Sequence, residues 1–305
     1  MFNKLKRFWA HPQYLILKLL KCISDVIPDK AYIQLYYRLH MGKKLNLITP
    51  QTFNEKLNWL KLNDRNPLYT KMVDKFHVKE YVAQKIGPQY IIPTIGVWDN
   101  PHEIEWDKLP QQFVLKTTHG GGNCGVIICK NKHNIDIERI KQRLQYSLKQ
   151  DLYKYSKEWP YKNVPRRIIA EEYMSNLGKD IEDYKVHCFN GVPKLILVCK
   201  QRQRNGIAEN TFYSVKWRKL DISRPGHSCA TEADPIPPQL NEMLRLSSIL
   251  SSGIPFLRCD FYIVNNNIYF GELTFYPAGG VVPYEPGKWD DILGSWLTLP
   301  PKLNN

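Results

Sequence analysis

The chain of 305 residues is long enough to bury a core as one large domain or two packed ones, and 43% hydrophobic with 24% charged residues excludes a disordered protein. A formal net charge of +14 sets up a field that attracts polyanions such as nucleotides, acidic glycans or anionic lipid headgroups. Specific nucleic-acid binding is not expected, because zinc-finger, basic-zipper and RNA-recognition patterns are all missing.

At the N-terminus Lys4, Lys6, Arg7, Lys18 and Lys21 interrupt the apolar residues, so neither a secretory signal nor a membrane-spanning helix is expected. The pattern left is a basic amphipathic helix, which either docks on the protein's own core or touches a membrane surface. Helices broken at Pro12, Pro28 and Pro50 are predicted up to about residue 62, with Thr52 and Glu55 forming a capping box for the last of them. Met72, Phe76, Val78, Tyr81 and Val82 predict one further helix over 66–87. Short strands follow at 90–95, 113–116 and 126–129, then a helical stretch over 135–155. Strands are predicted again at 168–171, 184–189, 195–200, 256–264 and 268–273, with one helix near 240–250. Asn190-Gly191 and Asn265-Asn266-Asn267 are hairpin turns, so the C-terminal half is mainly antiparallel sheet and the class is α+β. The seven cysteines, odd in number and without a C-x-x-C pair, indicate reduced, mostly buried thiols.

Gly120-Gly121-Gly122-Asn123-Cys124-Gly125 satisfies G-x-G-x-x-G, but a dinucleotide fold needs that string to open a helix, and here it opens a strand. No Walker A lysine follows, and the kinase H-R-D and D-F-G motifs are missing. The loop is either a flap whose backbone N–H groups approach phosphates or an ordinary glycine-rich hairpin.

Asp260 and Glu272 fall on two strands joined by the asparagine turn, so antiparallel pairing sets them side by side. Such carboxylates repel unless a cation lies between them, and magnesium shared with nucleotide phosphates is one candidate. Arg258 shares the face of Asp260, where it can clamp a phosphate. Asp183, Lys185 and His187 repeat the same spacing on another strand. The alternative is a hairpin whose charges face water.

These residues resemble the ATP-grasp superfamily, and within it the TupA-like branch of teichuronopeptide and surface-polysaccharide proteins. The resemblance runs from about Thr52 to Leu299 and rests on an ordered series of short motifs. These are Thr52-Phe53-Asn54-Glu55-Lys56-Leu57, Val73-Asp74-Lys75, Phe113-Val114-Leu115-Lys116 with its flap, Ala170-Glu171-Glu172-Tyr173, Asp183-Tyr184-Lys185, Cys188-Phe189-Asn190-Gly191, Arg258-Cys259-Asp260 and Phe270-Gly271-Glu272-Leu273-Thr274-Phe275. It implies an ATP-grasp fold of two lobes, with a helical N-terminal region over 1–70, a flap lobe over 71–170 and an antiparallel-sheet lobe with the metal site over 171–305.

Carried over position by position, the resemblance makes Lys75 and Lys116 the contacts to ATP phosphates and Gly120, Gly121 and Gly122 part of the lid loop. Glu171, Glu172 and Tyr173 form the hinge that receives adenine, and Asp183 accepts the ribose hydroxyls. Arg258 lies near the transferred phosphoryl group and, with Lys185, is the catalytic pair, while Asp260, Glu272 and Thr274 hold magnesium. Thr274 stands where many relatives carry an asparagine. The segment Pro277-Ala278-Gly279-Gly280 is similar to one that supplies backbone N–H groups to a tetrahedral intermediate.

The activity so implied is ATP-dependent ligation of a carboxylate to an amine through an acyl phosphate, in the cytoplasm, on a free or glycan-linked acidic substrate. The cofactors are ATP and Mg2+. Peripheral contact with a membrane surface and the oligomeric state stay open. Two rival readings are a glycosyltransferase of capsule biosynthesis, although Asp-x-Asp is missing, and a non-catalytic glycan or membrane-surface binder. The basic run 200–204 is either a solvated turn or a contact for acidic substrate.

Overall fold

Thr52 and Glu55 cap a helix reciprocally, as their spacing predicts: the Thr52 hydroxyl accepts the Glu55 N–H at 3.3 Å and the Glu55 carboxylate accepts the Thr52 N–H at 3.2 Å. The structure is a computed structural model that describes residues 12–120, 125–175, 181–200 and 209–302. Among them the helices Pro12–Cys22 (α1), Asp29–Met41 (α2), Phe53–Asn63 (α3), Leu68–Val73 (α4) and His77–Ile86 (α5) precede the first strand.

The helix expected over 66–87 is in fact two. Its apolar spacing runs on, but Asp74 leaves helical geometry at φ −72° and ψ 114°. The fully buried Asp74 carboxylate accepts the N–H groups of Phe76 at 2.8 Å and His77 at 3.3 Å, which starts a new helix there. Strand formation also begins later than expected, because Pro88–Tyr90 forms a 3-10 turn.

Strands Thr94–Trp98 (β1), Phe113–Thr117 (β2), Ile127–Cys129 (β3) and Ile168–Glu172 (β4) form an antiparallel sheet in the order β1-β4-β2-β3. Leu144 of helix Ile137–Leu148 (α6), which is followed by the short Leu152–Ser156 (α7), packs with Phe113, Leu115, Ile168 and Ala170 beneath it. The second sheet has the order β7-β6-β5-β8-β9, from Asp183–Phe189 (β5), Val192–Lys200 (β6), Glu209–Ser214 (β7), Phe256–Val264 (β8) and Asn267–Thr274 (β9). Both predicted hairpins are present: Asn190 and Gly191 have φ of 49° and 81°, and Asn265 and Asn266 have φ of 50° and 64°, the left-handed pairs that a tight two-residue turn requires. The half-polar edge strand β7 and the helix Lys288–Trp296 (α9) were not expected.

Helix Leu240–Ser251 (α8) covers the apolar face of the second sheet with Met243, Leu246 and Leu250. Helix α3 joins the same core, where Phe53 meets Phe256 at 4.9 Å and Phe189 at 5.6 Å. Its polar stripe Asn54, Asn58 and Lys61, spaced four and three residues apart, is fully buried. Asn54 exchanges hydrogen bonds with the Val282 backbone at 2.8 Å, Asn58 donates to the Gly280 carbonyl at 2.7 Å and Lys61 to the Gly279 carbonyl at 2.6 Å. These bonds hold the turn Pro277–Gly280, in which Ala278, Gly279 and Gly280 all have positive φ. Cys22, Cys129, Cys188, Cys199, Cys229 and Cys259 are free thiols, and Cys124 lies outside the described residues. Among the described residues no helix is long and apolar enough to cross a membrane.

Removing the cap by Thr52→Ala is expected to lower the unfolding free energy by about 1 kcal/mol. Urea denaturation checks this, and an unchanged midpoint would show that the cap contributes nothing.

Candidate active site

The break at Asp74 aims Lys75 at the end of β2. The Lys75 N–H bonds the Thr118 carbonyl at 3.0 Å, and its ammonium donates to the Gly120 carbonyl. Arg167 reaches back from the start of β4 to Asp74 at 3.3 Å, which fixes the turn to the sheet. Lys116 on β2 and Glu171 on β4 are diagonal neighbours and form an ion pair. Lys79, one turn beyond Lys75, reaches the other Glu171 oxygen at 2.6 Å. Burial alone would raise the Glu171 carboxyl, but Lys116 and Lys79 outweigh it and hold it below its ordinary value. Burial pulls the Lys75 ammonium down, helped by Lys116 and opposed by Glu272. Three ammonium groups thus face one carboxylate.

The opposite wall is a row across three strands. Opposite Lys185 on β5 stands Asp260 on β8, and opposite Asp260 stands Glu272 on β9; His187 similarly faces Arg258, and Arg258 faces Thr274. Most of the row is shielded from water: Asp183, Lys185, His187, Arg258 and Asp260 are all buried, while Glu272 and Thr274 at its edge are half-buried. Arg258 grips Asp260 with two hydrogen bonds of 2.6 Å and reaches Glu272 at 2.9 Å. Lys185 joins Asp260 to Asp183, the latter at 2.7 Å. Burial would lower the Lys185 ammonium, but Asp183 and Asp260 outweigh it and raise it. His187 is driven well below its usual value by burial and by Arg258, so the ring is neutral.

A narrow cavity of about 10 Å³, room for one water, lies between the ammonium group and β9. Lys75, Lys79, Lys116 and Glu171 line one side, and Phe270 and Gly271 the other. Gly271 is the extra residue of a bulge between the Asp260–Glu272 and Phe261–Phe270 pairs, and a Cβ there would come within 3.1 Å of the Asp260 carbonyl and the Tyr262 ring.

The expected residues therefore gather in two facing groups. Lys75, Lys116, Gly120 and Glu171 lie on one, and Asp183, Lys185, Arg258, Asp260, Glu272 and Thr274 on the other. Glu172 ends β4 and Tyr173 follows it, and neither lines the cavity; Gly121 and Gly122 lie outside the described residues. Arg258 clamps the carboxylates rather than standing free on the face, and the Thr274 hydroxyl bonds Glu272 at 3.4 Å. Of the basic run, Lys200 pairs with Asp234 at 2.5 Å and Glu182 at 3.1 Å, and the rest lies outside the described residues.

Sequence reasoning passed over Lys79, whose apolar helical neighbours mask it, and the buried Glu158. Ser156 donates to Glu158 at 2.6 Å, and burial raises its carboxyl against the opposing charge of Lys61.

A model of the TupA-like ATP-grasp family matches residues 55–298. The chain belongs to this family. It is similar in structure to D-alanine–D-alanine ligase from Helicobacter pylori, with a TM-score of 0.41 and 14% identity over 81% of this chain and 70% of that one. It is also similar to the ATP-grasp ligase PsnB in complex with a minimal precursor, with a TM-score of 0.41 and 10% identity over 76% and 62% of the two chains. A third similar structure is D-cycloserine synthetase DcsG, with a TM-score of 0.40 and 14% identity over 68% and 64%. This chain thus spans less than two thirds of PsnB and of DcsG. No curated protein matches it in sequence.

The donor sets of this ATP-grasp chain fit a magnesium nucleotide. The excess of ammonium groups on one wall suits a polyphosphate. Among the described residues no three His, Cys, Asp or Glu side chains form a ready metal cage. Magnesium ordinarily completes its shell from one or two carboxylates, phosphate oxygens and water, and Asp260 with Glu272, paired across β8 and β9, offers carboxylates of that kind.

Two outcomes are expected. Lys185→Met strips the buried Asp183 and Asp260 of their shared ammonium and lowers stability by about 3–5 kcal/mol in urea unfolding; a change within experimental error would contradict the geometry. Because the Glu171 carboxyl lies below its ordinary 4.5 in the folded protein, its contribution is full above that pH and is lost as pH falls through the folded-state value. Glu171→Gln should therefore flatten the acid limb of the stability–pH curve.

Proposed function

We propose that the protein is an ATP-dependent carboxylate–amine ligase, joining an amino acid or other amine to a sugar acid or related carboxylate in the assembly of a cell-surface polysaccharide. The observation that supports this reading is the approach of an ammonium-rich group to a carboxylate-bearing one, close enough for Glu272 to act on the Lys75 ammonium, in a chain of the ATP-grasp family. The polysaccharide context rests on the resemblance to teichuronopeptide and surface-polysaccharide proteins.

In this reading Lys75, Lys79 and Lys116 neutralise the triphosphate, with Gly120 at the edge of the lid. The backbone of residues 171–173 receives adenine, and Asp183 accepts the ribose hydroxyls. Asp260 and Glu272 hold magnesium, which when bound withdraws charge from the phosphoryl oxygens. Arg258 and Lys185 hold the two carboxylates in place, and Thr274 orients Glu272 rather than binding the metal itself. A substrate carboxylate oxygen attacks the γ-phosphorus, the bond to the bridging oxygen breaks, and ADP leaves. The amine then attacks the acyl carbon, phosphate departs with the electron pair, and the amine proton passes to solvent. Because the cavity is about 10 Å³, the walls part to admit the nucleotide. The protein works in the cytoplasm, where ATP is present.

The test is ADP release with panels of sugar acids and amines. Turnover is expected to need both substrates and magnesium, and to fall about 100-fold or more in Glu272→Ala. ADP release that ignores the amine, or full turnover in Glu272→Ala, would overturn the assignment.

A further inference from the structure

The charged row on β5, β8 and β9 is neutralised from within. Arg258 is taken up by Asp260 and Glu272, and Lys185 by Asp183 and Asp260, so neither cation is left over to receive an acid from outside. Past Lys185 the same line of the sheet continues through Leu197 on β6 to Phe212 on β7, and the face becomes apolar. The chain after β7 folds back along this end. Leu220 donates to the Phe212 carbonyl at 2.9 Å, Ser223 and Glu285 exchange backbone hydrogen bonds of 2.8 and 3.0 Å, and the buried Tyr284 ring stands 6.4 Å from that of Phe212. The residue after Ser223 is Arg224, and the His227 N–H closes a turn onto its carbonyl at 3.2 Å.

The Arg224 guanidinium is close enough for Arg258 and for Cys199 on β6 to act on it, and for it to act on the His187 ring. It therefore lies by the charged row, on the β6 side. Among the described residues no carboxylate pairs with it. An arginine without an acid is ordinary where water surrounds it, but Arg224 is half-buried, and burial, with the like charge of Arg258, lowers its guanidinium below the ordinary value. A bound anion would relieve both effects. His187 does not compete for that anion, because its ring is neutral.

The chemistry of the anion follows from the place. A guanidinium presents a planar fork that a carboxylate fills with two parallel hydrogen bonds. An acid that is to meet a triphosphate approaches like charge, and a fixed cation beside the row both orients it and offsets that repulsion. We propose that Arg224 binds the reacting carboxylate of the acid substrate, on the β6 side of the charged row. The assignment rests on the ligase reading and names the group by which the site selects an acid over a neutral sugar.

Calorimetric titration of glucuronate, galacturonate and gluconate into the full chain with magnesium–ADP present, with glucose and galactose as neutral controls, tests the inference in wild type, Arg224→Gln and Arg224→Lys. The wild type is expected to bind at least one of the acids and neither hexose. Arg224→Gln should weaken that acid about tenfold or more, and Arg224→Lys, which keeps the charge but not the fork, should lose less. Magnesium–ATP binding should match the wild type in both variants, and the melting temperature of Arg224→Gln should not fall, because no acid of the protein loses a partner. Acid binding unchanged in Arg224→Gln would overturn the proposal, as would a wild type that binds none of the acids or binds the hexoses equally well. An equal loss of magnesium–ATP binding would also overturn it, since Arg224 would then serve the nucleotide phosphates. Failure of the ligase reading alone looks different: the acid would bind through Arg224, yet no amine would bring about ADP release.

Discussion

A carboxylate with no exposure to water, Asp260, governs the second sheet. An uncompensated buried charge is strongly destabilising, so the fold surrounds it with the Arg258 guanidinium and the Lys185 ammonium, each brought in by strand register. Arg258 passes the constraint to Glu272, and Lys185 passes it to Asp183. The result is a continuous charged row on one face of a sheet whose other face is sealed by α8.

A second chain of constraints joins this row to the other wall. Asp74 is just as buried, and it ends α4, starts α5 and meets Arg167 directly before β4. Those bonds place Lys75 and Lys79 on the same side as Lys116, and Glu171 gathers Lys79 and Lys116 together. The polar stripe of α3 then locks the turn Pro277–Gly280, which directly follows β9, to the N-terminal helices. The segment that reads as a helical preface is thereby part of the packing that fixes the end of the β8–β9 hairpin.

Features whose causes lie within a few residues were legible in the sequence. The Thr52–Glu55 cap, the two asparagine hairpins and the pairing of Asp260 with Glu272 follow from local spacing and turn chemistry, and so does the common parity of Asp183, Lys185 and His187. What was not legible depends on partners far along the chain. Asp74 breaks a helix whose apolar spacing continues unbroken, and its partner Arg167 lies 93 residues away. Lys116 and Glu171, 55 residues apart, become neighbours only because β4 inserts between β1 and β2, a strand order that no local pattern encodes. The face of Asp260 and Arg258 was open to two readings, solvated or functional, until burial decided against water. The edge strand β7 lacks the apolar alternation that marks the central strands.

The central claim is that both walls serve one nucleotide. Calorimetric titration of ATP into the full chain, with and without magnesium, tests it most directly when repeated on Lys116→Met and Glu272→Gln. The expected result is magnesium-dependent binding to the wild type that weakens about tenfold or more in each variant, since each removes a charge from a different side of the same ligand. Binding that is unchanged in both variants, or no binding to the wild type, would contradict it.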